Sequence, residues 1–395
     1  MKKPLFAPWP SFNHEIINAV RKVLVSGKVN QWTGPNVYAF EKEYAEYLGM
    51  KHAIAMANGS VTLDVALNVL GIGAGDEVVV PSRSFVASAS CVPLAGAIPV
   101  FADVDLQSGN MTAETIAAVL TKKTKAVIIV HLAGWPCEMD AIVSLCRAKK
   151  LFLIEDCAQA HGARYKGKPV GTFGQISSFS FCQDKIFTTG GEGGLFVTND
   201  TALWKKAWSL KDHGRDFDVA FGQKGGIGFK WMVNSFGTNY RMTEMQAVIG
   251  RIMLKRLDKM VQARRVRATM LNRAFRNIPG LTVALPPKDC YHAYYKYYVY
   301  LDLERLRPDW SRDRILRELS ARGIPCGSGA CPEIYREKAF RDQRRKLVLP
   351  PQEPCPIARW MGEASMMFLV HPTLKKENVK YVITSTRTIL KKAMP

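Results

Sequence analysis

The chain predicts an α/β fold: a large unit built on a mostly parallel, doubly wound sheet, followed by a smaller α+β unit. Three observations carry this. Short runs rich in β-branched or aromatic residues, bounded by Gly, Pro, Asp or Asn, recur as far as Thr198. Segments of helical period lie between several of them, and strands alternating with helices favour a parallel sheet. After Pro279-Gly280 the texture changes to extended segments followed by helices.

Taken in order, Asn36–Leu48 carries Val37, Phe40, Tyr44, Tyr47 and Leu48 at helical spacing. The apolar run Ala53–Ala57 follows, then the turn Asn58-Gly59-Ser60, then a second helical run over Val61–Leu70. Further strands are expected at Glu77–Val80, Ile98–Phe101, Ala126–Val130, Leu151–Glu155, Ile176–Phe181 and Leu195–Thr198. Helices are expected at Thr112–Leu120, Glu138–Ala148 and Ala202–Asp212, and one long helix from about Thr243 to Arg276. Beyond it come two extended segments, Leu281–Leu285 and Lys296–Leu303, a helix over Asp313–Ala321 ended by Gly323, and a last helix over Glu377–Lys392. The division expected is 1–276 for the large domain and 277–395 for the small one, with the N-terminal segment packing on the latter.

Composition narrows the function. The chain has 395 residues, 47% hydrophobic and 23% charged, which is ordinary for a globular protein with a buried core. Its net charge of +21 suits an anionic partner, either nucleic acid or a small phosphorylated substrate. The densest basic stretch, from Arg251 through Lys255, Arg256, Lys259, Arg264, Arg265 and Arg267 to Arg273, has helical spacing and reads as a solvated helix face. No zinc-finger spacing, RNP-like aromatic pattern or basic tail is present, so nucleic acid is not the expected partner. Nine cysteines form no C-x-x-C pair, so neither a metal site nor a disulfide framework is expected, and reduced thiols point to the cytoplasm. The N-terminus is too interrupted by proline for a signal peptide, and apolar runs such as Met366–Val370 are too short to span a membrane.

The chemistry gathers at predicted strand ends. Lys185 follows the strand Ile176–Phe181 and precedes the turn Thr188–Gly194. A lysine in such a position can be desolvated and freed as a nucleophile. Asp156 ends the apolar strand Leu151–Glu155, where a carboxylate could pair with a pyridine nitrogen, and Gln159 could reach a ring substituent. His161, close by, reads as a hydrogen-bonded core residue. The amides of the Asn58-Gly59-Ser60 turn suit a phosphate. A phosphate cradle, a ring-nitrogen partner and an amine together make the kit of a pyridoxal-phosphate enzyme.

These motifs, in fixed order, resemble the sugar aminotransferases of the DegT/DnrJ/EryC1/StrS group. The resemblance rests on Asn58-Gly59-Ser60, Ser84-Phe85-Val86-Ala87, Glu155–Gly162, Ser178-Phe179-Ser180-Phe181 with Lys185, Gly190–Gly194 and Gly237–Met242. It begins at Ser26-Gly27 and Gly34-Pro35 and reaches Leu369-Val370-His371-Pro372. It implies the fold of aspartate aminotransferase (PLP fold type I). It also implies that Lys185 carries pyridoxal 5'-phosphate as a Schiff base and that Asp156 binds the ring nitrogen. Phe85 would stack on the ring and Gln159 contact its hydroxyl. The amides of Gly59 and Ser60, with the Ser180 hydroxyl, would hold the phosphate. Asn239 would reach that phosphate from a neighbouring subunit, so a homodimer with a shared active site is expected.

The activity implied is ping-pong transfer of an amino group from L-glutamate to a keto-sugar linked to a nucleoside diphosphate, in cell-surface polysaccharide or related amino-sugar biosynthesis. Arg241 and His371 are candidates for substrate contacts, while Lys28 and Arg215 read as surface cations. Some relatives carry histidine at the position of Lys185 and are dehydratases; the lysine here favours amino transfer. The rivals are such a dehydratase, an amino-acid aminotransferase, and a non-catalytic sensor or nucleic-acid-binding protein on the same scaffold. The Gln183-Asp184 pair and the Ile324–Glu333 stretch, with Cys326 and Cys331, depart from the group's commonest pattern and bear on which sugar is used.

Overall fold

A computed structural model describes residues 5–222, 232–342 and 355–395. Its main sheet has seven strands: β1 (His52–Met56), β2 (Glu77–Pro81), β3 (Ile98–Ala102), β4 (Thr124–Val130), β5 (Phe152–Asp156), β6 (Ile176–Ser180) and β7 (Gly194–Thr198). Their spatial order is β1-β7-β6-β5-β4-β2-β3. The pairs β2–β3, β2–β4, β4–β5 and β5–β6 are parallel, whereas β7 runs antiparallel to both β6 and β1. Six strands therefore point one way, and their carboxyl ends share one edge of the sheet. Helices cover both faces, so strands such as Glu77–Pro81 are buried along their whole length and read as continuous apolar runs without alternation.

Local chemistry explains the element ends. The helix Asn36–Leu48 stops where Gly49 takes a left-handed conformation with φ of 71°. The helix Gly59–Val69 starts where the Asn58 side chain accepts the Val61 N–H at 3.1 Å.

The long helix expected over Thr243–Arg276 is two helices, Glu244–Leu254 and Leu257–Phe275. They are separated where Arg256 takes φ of −103° and ψ of −4°, and its N–H bonds three residues back to Met253 O at 3.0 Å. That tightened turn re-aims the chain while leaving both Leu254 and Leu257 buried. The basic stretch is a solvated face only in part: Lys255, Lys259 and Arg273 are exposed, but the other cations are engaged. Arg251 pairs with Glu43 at 2.7 Å, Arg264 is 1% exposed, and Arg267 donates to the Leu374 and Pro372 carbonyls. Helical spacing of charges did not reveal that three neighbouring elements crowd this helix.

The C-terminal part holds a four-stranded antiparallel sheet, ordered Leu281–Thr282, Tyr297–Leu301, Ser365–Phe368, Cys326–Gly327. Its core joins Phe275, Tyr297, Val299, Met366, Phe368 and Ile389. The Met366–Val370 run, too short to span a membrane, in fact supplies an inner strand of this sheet. The Leu257–Phe275 helix serves both cores: Leu257, Met260 and Val261 face the first, Ala268, Leu271 and Phe275 the second. Phe6 packs on the second core, and Asn378 Nδ2 donates to Leu5 O at 2.9 Å. Among the described residues no helix is long and apolar enough to cross a membrane.

Candidate active site

The carboxyl-end edge of the main sheet collects the residues singled out above. Asn58-Gly59-Ser60 follows β1, Phe85 follows β2, Asp156 ends β5, and Ser180 ends β6 with Lys185 five residues on. Ligands bind at this edge in open parallel sheets because several loops and helix starts converge there.

Asp156 is 5% exposed. Its Oδ2 accepts the Ser88 hydroxyl at 2.7 Å and its Oδ1 accepts the Ala158 N–H at 3.0 Å. Burial pushes its carboxyl above the usual range, against the pull of those two hydrogen bonds and of the charges of Lys185 and His131. A carboxylate held so needs a positive group opposite it, and its oxygens have lone pairs to spare.

Lys185 sits on a turn in which its N–H bonds Cys182 O at 3.0 Å, while its own carbonyl accepts the Trp9 indole N–H at 2.9 Å. Its side chain is 14% exposed, with Nζ 3.7 Å from Asp184 Oδ1 and 5.0 Å from the centre of the Tyr295 ring. Burial works to raise the Asp184 carboxyl, but Lys185, the Tyr295 hydroxyl and Lys296 together hold it below the ordinary carboxylate value.

The phosphate cradle is a tight junction of β1, β6 and β7. A Cβ on Gly59 would lie 2.6 Å from Ser180 Cβ, and one on Gly194 would lie 2.2 Å from Asn58 O. Glycine at both positions therefore lets the start of the Gly59–Val69 helix meet the end of β6. Thr62 Oγ1 donates to Gly59 O at 2.7 Å and meets Ser178 Oγ at 2.5 Å, tying helix to strand. Gln159 accepts the Ala133 N–H at 2.8 Å, so its amide N–H groups are what it has left to offer a ring oxygen. Ala133 holds a left-handed φ of 56°, a strained choice for alanine, and its carbonyl accepts the Tyr295 N–H at 2.8 Å.

His161 is the core residue its surroundings suggested. It is buried, its Nδ1 lies 2.7 Å from the Tyr44 hydroxyl and its Nε2 lies 2.7 Å from Ser180 O, which braces the cradle strand from behind. Burial lowers its pKa to about 4. Phe85 is 62% exposed, with a face open to a ring. Asn239 is exposed, and its Oδ1 accepts the Arg241 N–H at 3.3 Å. Arg241 reaches the same region through a bridge to Met56, with its guanidinium 2.8 Å from Asp212 Oδ1. Arg215 shares that carboxylate at 3.0 Å, and Lys28 is exposed. His371, buried, stacks on Trp9 with ring centres 6.0 Å apart, and Trp9 in turn bonds the Lys185 carbonyl.

Pyridoxal phosphate fits this donor set. It needs an amine, a buried carboxylate for its ring nitrogen, an anion cradle without Cβ atoms, and an amide donor. Lys185, Asp156, the Gly59 junction and Gln159 are of those kinds. Among the described residues, His131, Glu155 and Cys157 also lie within 4.8 Å of one another. The Glu155 oxygens, however, already accept from Gly171, Phe173 and Gly174 at 2.7 Å, so the group is a hydrogen-bond network.

Several participants were missed from sequence. Ser88 lies one residue past the Ser84–Ala87 motif. Trp9, Arg264, Tyr295 and Lys296 reach the Lys185 turn from segments far away in the chain, and no local pattern marks them.

Comparison with known proteins shows the family and the fold. The profile described as the DegT/DnrJ/EryC1/StrS aminotransferase family matches residues 10–387. A GDP-perosamine synthase of Escherichia coli O157:H7 is 35% identical over 353 residues, covering 89% of each chain. Another, from Caulobacter vibrioides, is 41% identical over 295 residues, or 74% of this chain and 75% of that one. The X-ray structure of an aminotransferase from Psychrobacter cryohalolentis superposes with a TM-score of 0.94 at 49% identity, covering 98% of this chain and 99% of that one.

Proposed function

Because the chain belongs to the DegT/DnrJ/EryC1/StrS aminotransferase family, we propose that it moves an amino group from L-glutamate to a keto-sugar carried on a nucleoside diphosphate, with pyridoxal phosphate as its cofactor. The relatives named GDP-perosamine synthase support an amino-sugar nucleotide as the product. When bound, the cofactor supplies an electron-withdrawing ring that stabilises negative charge at the substrate carbon. Asp156 would hold the ring nitrogen and keep it protonated, and Ser88 and the Ala158 N–H fix the carboxylate for that task. The Gly59 and Ser60 amides and the Ser180 hydroxyl would hold the phosphate, joined by Asn239 from a second copy in a homodimer. Phe85 would cover the ring and Gln159 would donate to its hydroxyl. The Lys185 amine takes a proton from the donor's α carbon and returns one to the other end of the reacting system, as a general base and then a general acid. Arg241 and His371 are the substrate-side groups. No disulfide links the nine cysteines, which suits a reducing cytoplasm.

One observation carries the reading: the buried Asp156 carboxylate ends β5, and the Lys185 amine, on the turn after the neighbouring parallel strand β6, is close enough for its charge to act on the aspartate. The test is spectroscopic and kinetic. The purified protein is expected to be yellow, to lose that colour on adding L-glutamate, and to aminate a keto-sugar nucleotide. Lys185→Ala is expected to retain less than about a thousandth of the turnover. Undiminished transfer in that variant would overturn the assignment, and a preference for simple keto acids over sugar nucleotides would make it an amino-acid aminotransferase.

A further inference from the structure

Asp184, which stands immediately before the reactive lysine, shares its carboxylate between two cations. Lys185 Nζ lies 3.7 Å from Oδ1, Lys296 Nζ lies 3.4 Å from Oδ2, and the Tyr295 hydroxyl donates to Oδ2. Both ammonium groups also lie over the Tyr295 ring, 5.0 and 4.7 Å from its centre. The backbone beneath that ring is fixed. The Tyr295 N–H bonds Ala133 O at 2.8 Å, and the Tyr295 carbonyl accepts Arg264 Nη1 at 3.1 Å. Ala133 in turn donates to Gln159 at 2.8 Å, so the platform under both lysines is tied to the cofactor side of the site.

Two lysine side chains, 14% and 17% exposed, are thus held side by side, although like charges drawn partly out of water repel. Among the described residues Asp184 is the one carboxylate within 4.0 Å of either. Burial, with the charges of Arg264 and Lys185, lowers the Lys296 pKa, and Asp184 opposes that fall. A carboxylate divided between two cations holds neither closely. The 3.7 Å contact to Lys185 is well beyond the ~2.7–2.9 Å of an ammonium hydrogen-bonded to a carboxylate. Looseness matters for this lysine, because an amine is a nucleophile only when uncharged and released. A close bond to its own neighbour in the chain would hold it back.

We propose that Lys296 is a positioning residue for the reactive amine: it occupies one oxygen of Asp184 and keeps that carboxylate from closing on Lys185, so the amine stays free to reach the cofactor. The assignment rests on the reading of Lys185 as the cofactor lysine and adds what keeps it available. The effect is moderate, since the Asp184 side chain is 52% exposed and water screens the pair.

The test follows the growth of the yellow band when pyridoxal phosphate is added to the full chain freed of cofactor. Lys296→Met is expected to slow it about tenfold, and Lys296→Arg, which keeps the charge, to stay within about threefold of wild type. Adding Lys296→Met to Asp184→Asn is expected to change the rate less than about twofold, because no carboxylate is left to close on the amine. Pyridoxine phosphate has an alcohol in place of the aldehyde and reports cradle binding alone; its affinity is expected to be the same in wild type and Lys296→Met. An unchanged rate in Lys296→Met, an equal drop in the Asp184→Asn background, or a parallel loss of pyridoxine phosphate affinity would overturn the role. Should Asp184→Asn fail to fold, as melting would reveal, the contrast between Lys296→Met and Lys296→Arg decides the matter. Acetylation of Lys185 by acetic anhydride, mapped by peptide mass spectrometry, needs no cofactor and is expected to fall in the same order. Labelling that follows this order in a protein that never turns yellow would sink the cofactor reading and leave the Lys296 role standing.

Discussion

The Asp156 carboxyl is buried, carries two fixed hydrogen bonds and has its pKa raised, chiefly by desolvation. An acid whose folded pKa lies above its unfolded value favours folding only while protonated. That contribution is complete below the ordinary value of 3.8 and disappears as pH rises through the raised one. Asp156→Asn is therefore expected to melt about 2 °C or more above wild type at pH 8 when both lack cofactor, with the two converging near pH 4. The same substitution removes the charge that holds the ring nitrogen protonated, so turnover is expected to fall at least a hundredfold. Melting curves with and without pyridoxal phosphate check both halves; equal melting at pH 8 without cofactor would refute the strain. At this scale the sequence was legible where chemistry is carried by a short motif. Lys185, Asp156 and the core role of His161 could be read from their neighbours. Arg264 could not: it packs on Trp9 and bonds Tyr295, neither of which lies near it in the chain.

The junction between the Gly59–Val69 helix and β6 is the element on which the proposed phosphate site depends. Its tolerance is set by a Cβ position 2.6 Å from Ser180 Cβ. Gly59→Ala must push the helix start away from the strand. Overpacking of this kind costs ~1–3 kcal/mol. It is expected to weaken pyridoxal phosphate at least tenfold, as measured by dialysis against the free cofactor; unchanged cofactor retention would remove this junction from the binding site. The seven strands of the main sheet could be read to within a residue or two, because full burial writes itself as unbroken apolar runs, whereas the helices His14–Val25 and Ala87–Leu94 were not expected and the helix expected over Thr112–Leu120 ends at Ala117. The turn at Lys255-Arg256 could not. Helical periodicity runs through it, and what bends the chain is the need of Leu257–Phe275 to face two cores in succession. The inner C-terminal strand Ser365–Phe368 was hidden for a related reason: four residues carry too little pattern to be told from a loop.

Across the molecule, charge and exposed apolar surface suggest how the working unit is assembled. The excess of +21 suits a substrate bearing a diphosphate and keeps the chain from unspecific association. Against that background Met232, Val233 and Phe236 stand out, at 58%, 57% and 101% exposure, a few residues before Asn239. Apolar side chains so exposed beside a residue assigned to a neighbouring active site fit a subunit contact. The protein is expected to sediment as a dimer, and Phe236→Asp to shift it toward monomer with loss of bound cofactor. A monomeric wild type that keeps full activity would dismiss the shared site. The overall architecture was readable from the alternation of strands and helices, whereas the meeting of distant segments at the Lys185 turn was not.

The strap formed by residues 5–9 ties three places together. Trp9 holds the Lys185 carbonyl, Pro8 O accepts from Thr373 Oγ1 at 3.0 Å, and Leu5 O accepts from Asn378. During synthesis these residues leave the ribosome long before Thr373 and Asn378 exist. Two of its three ties must wait until nearly the whole polypeptide has been made, so the strap that borders the reactive amine is fully fastened only at the end. A nascent enzyme of this design stays idle until its late-made end closes over its early one.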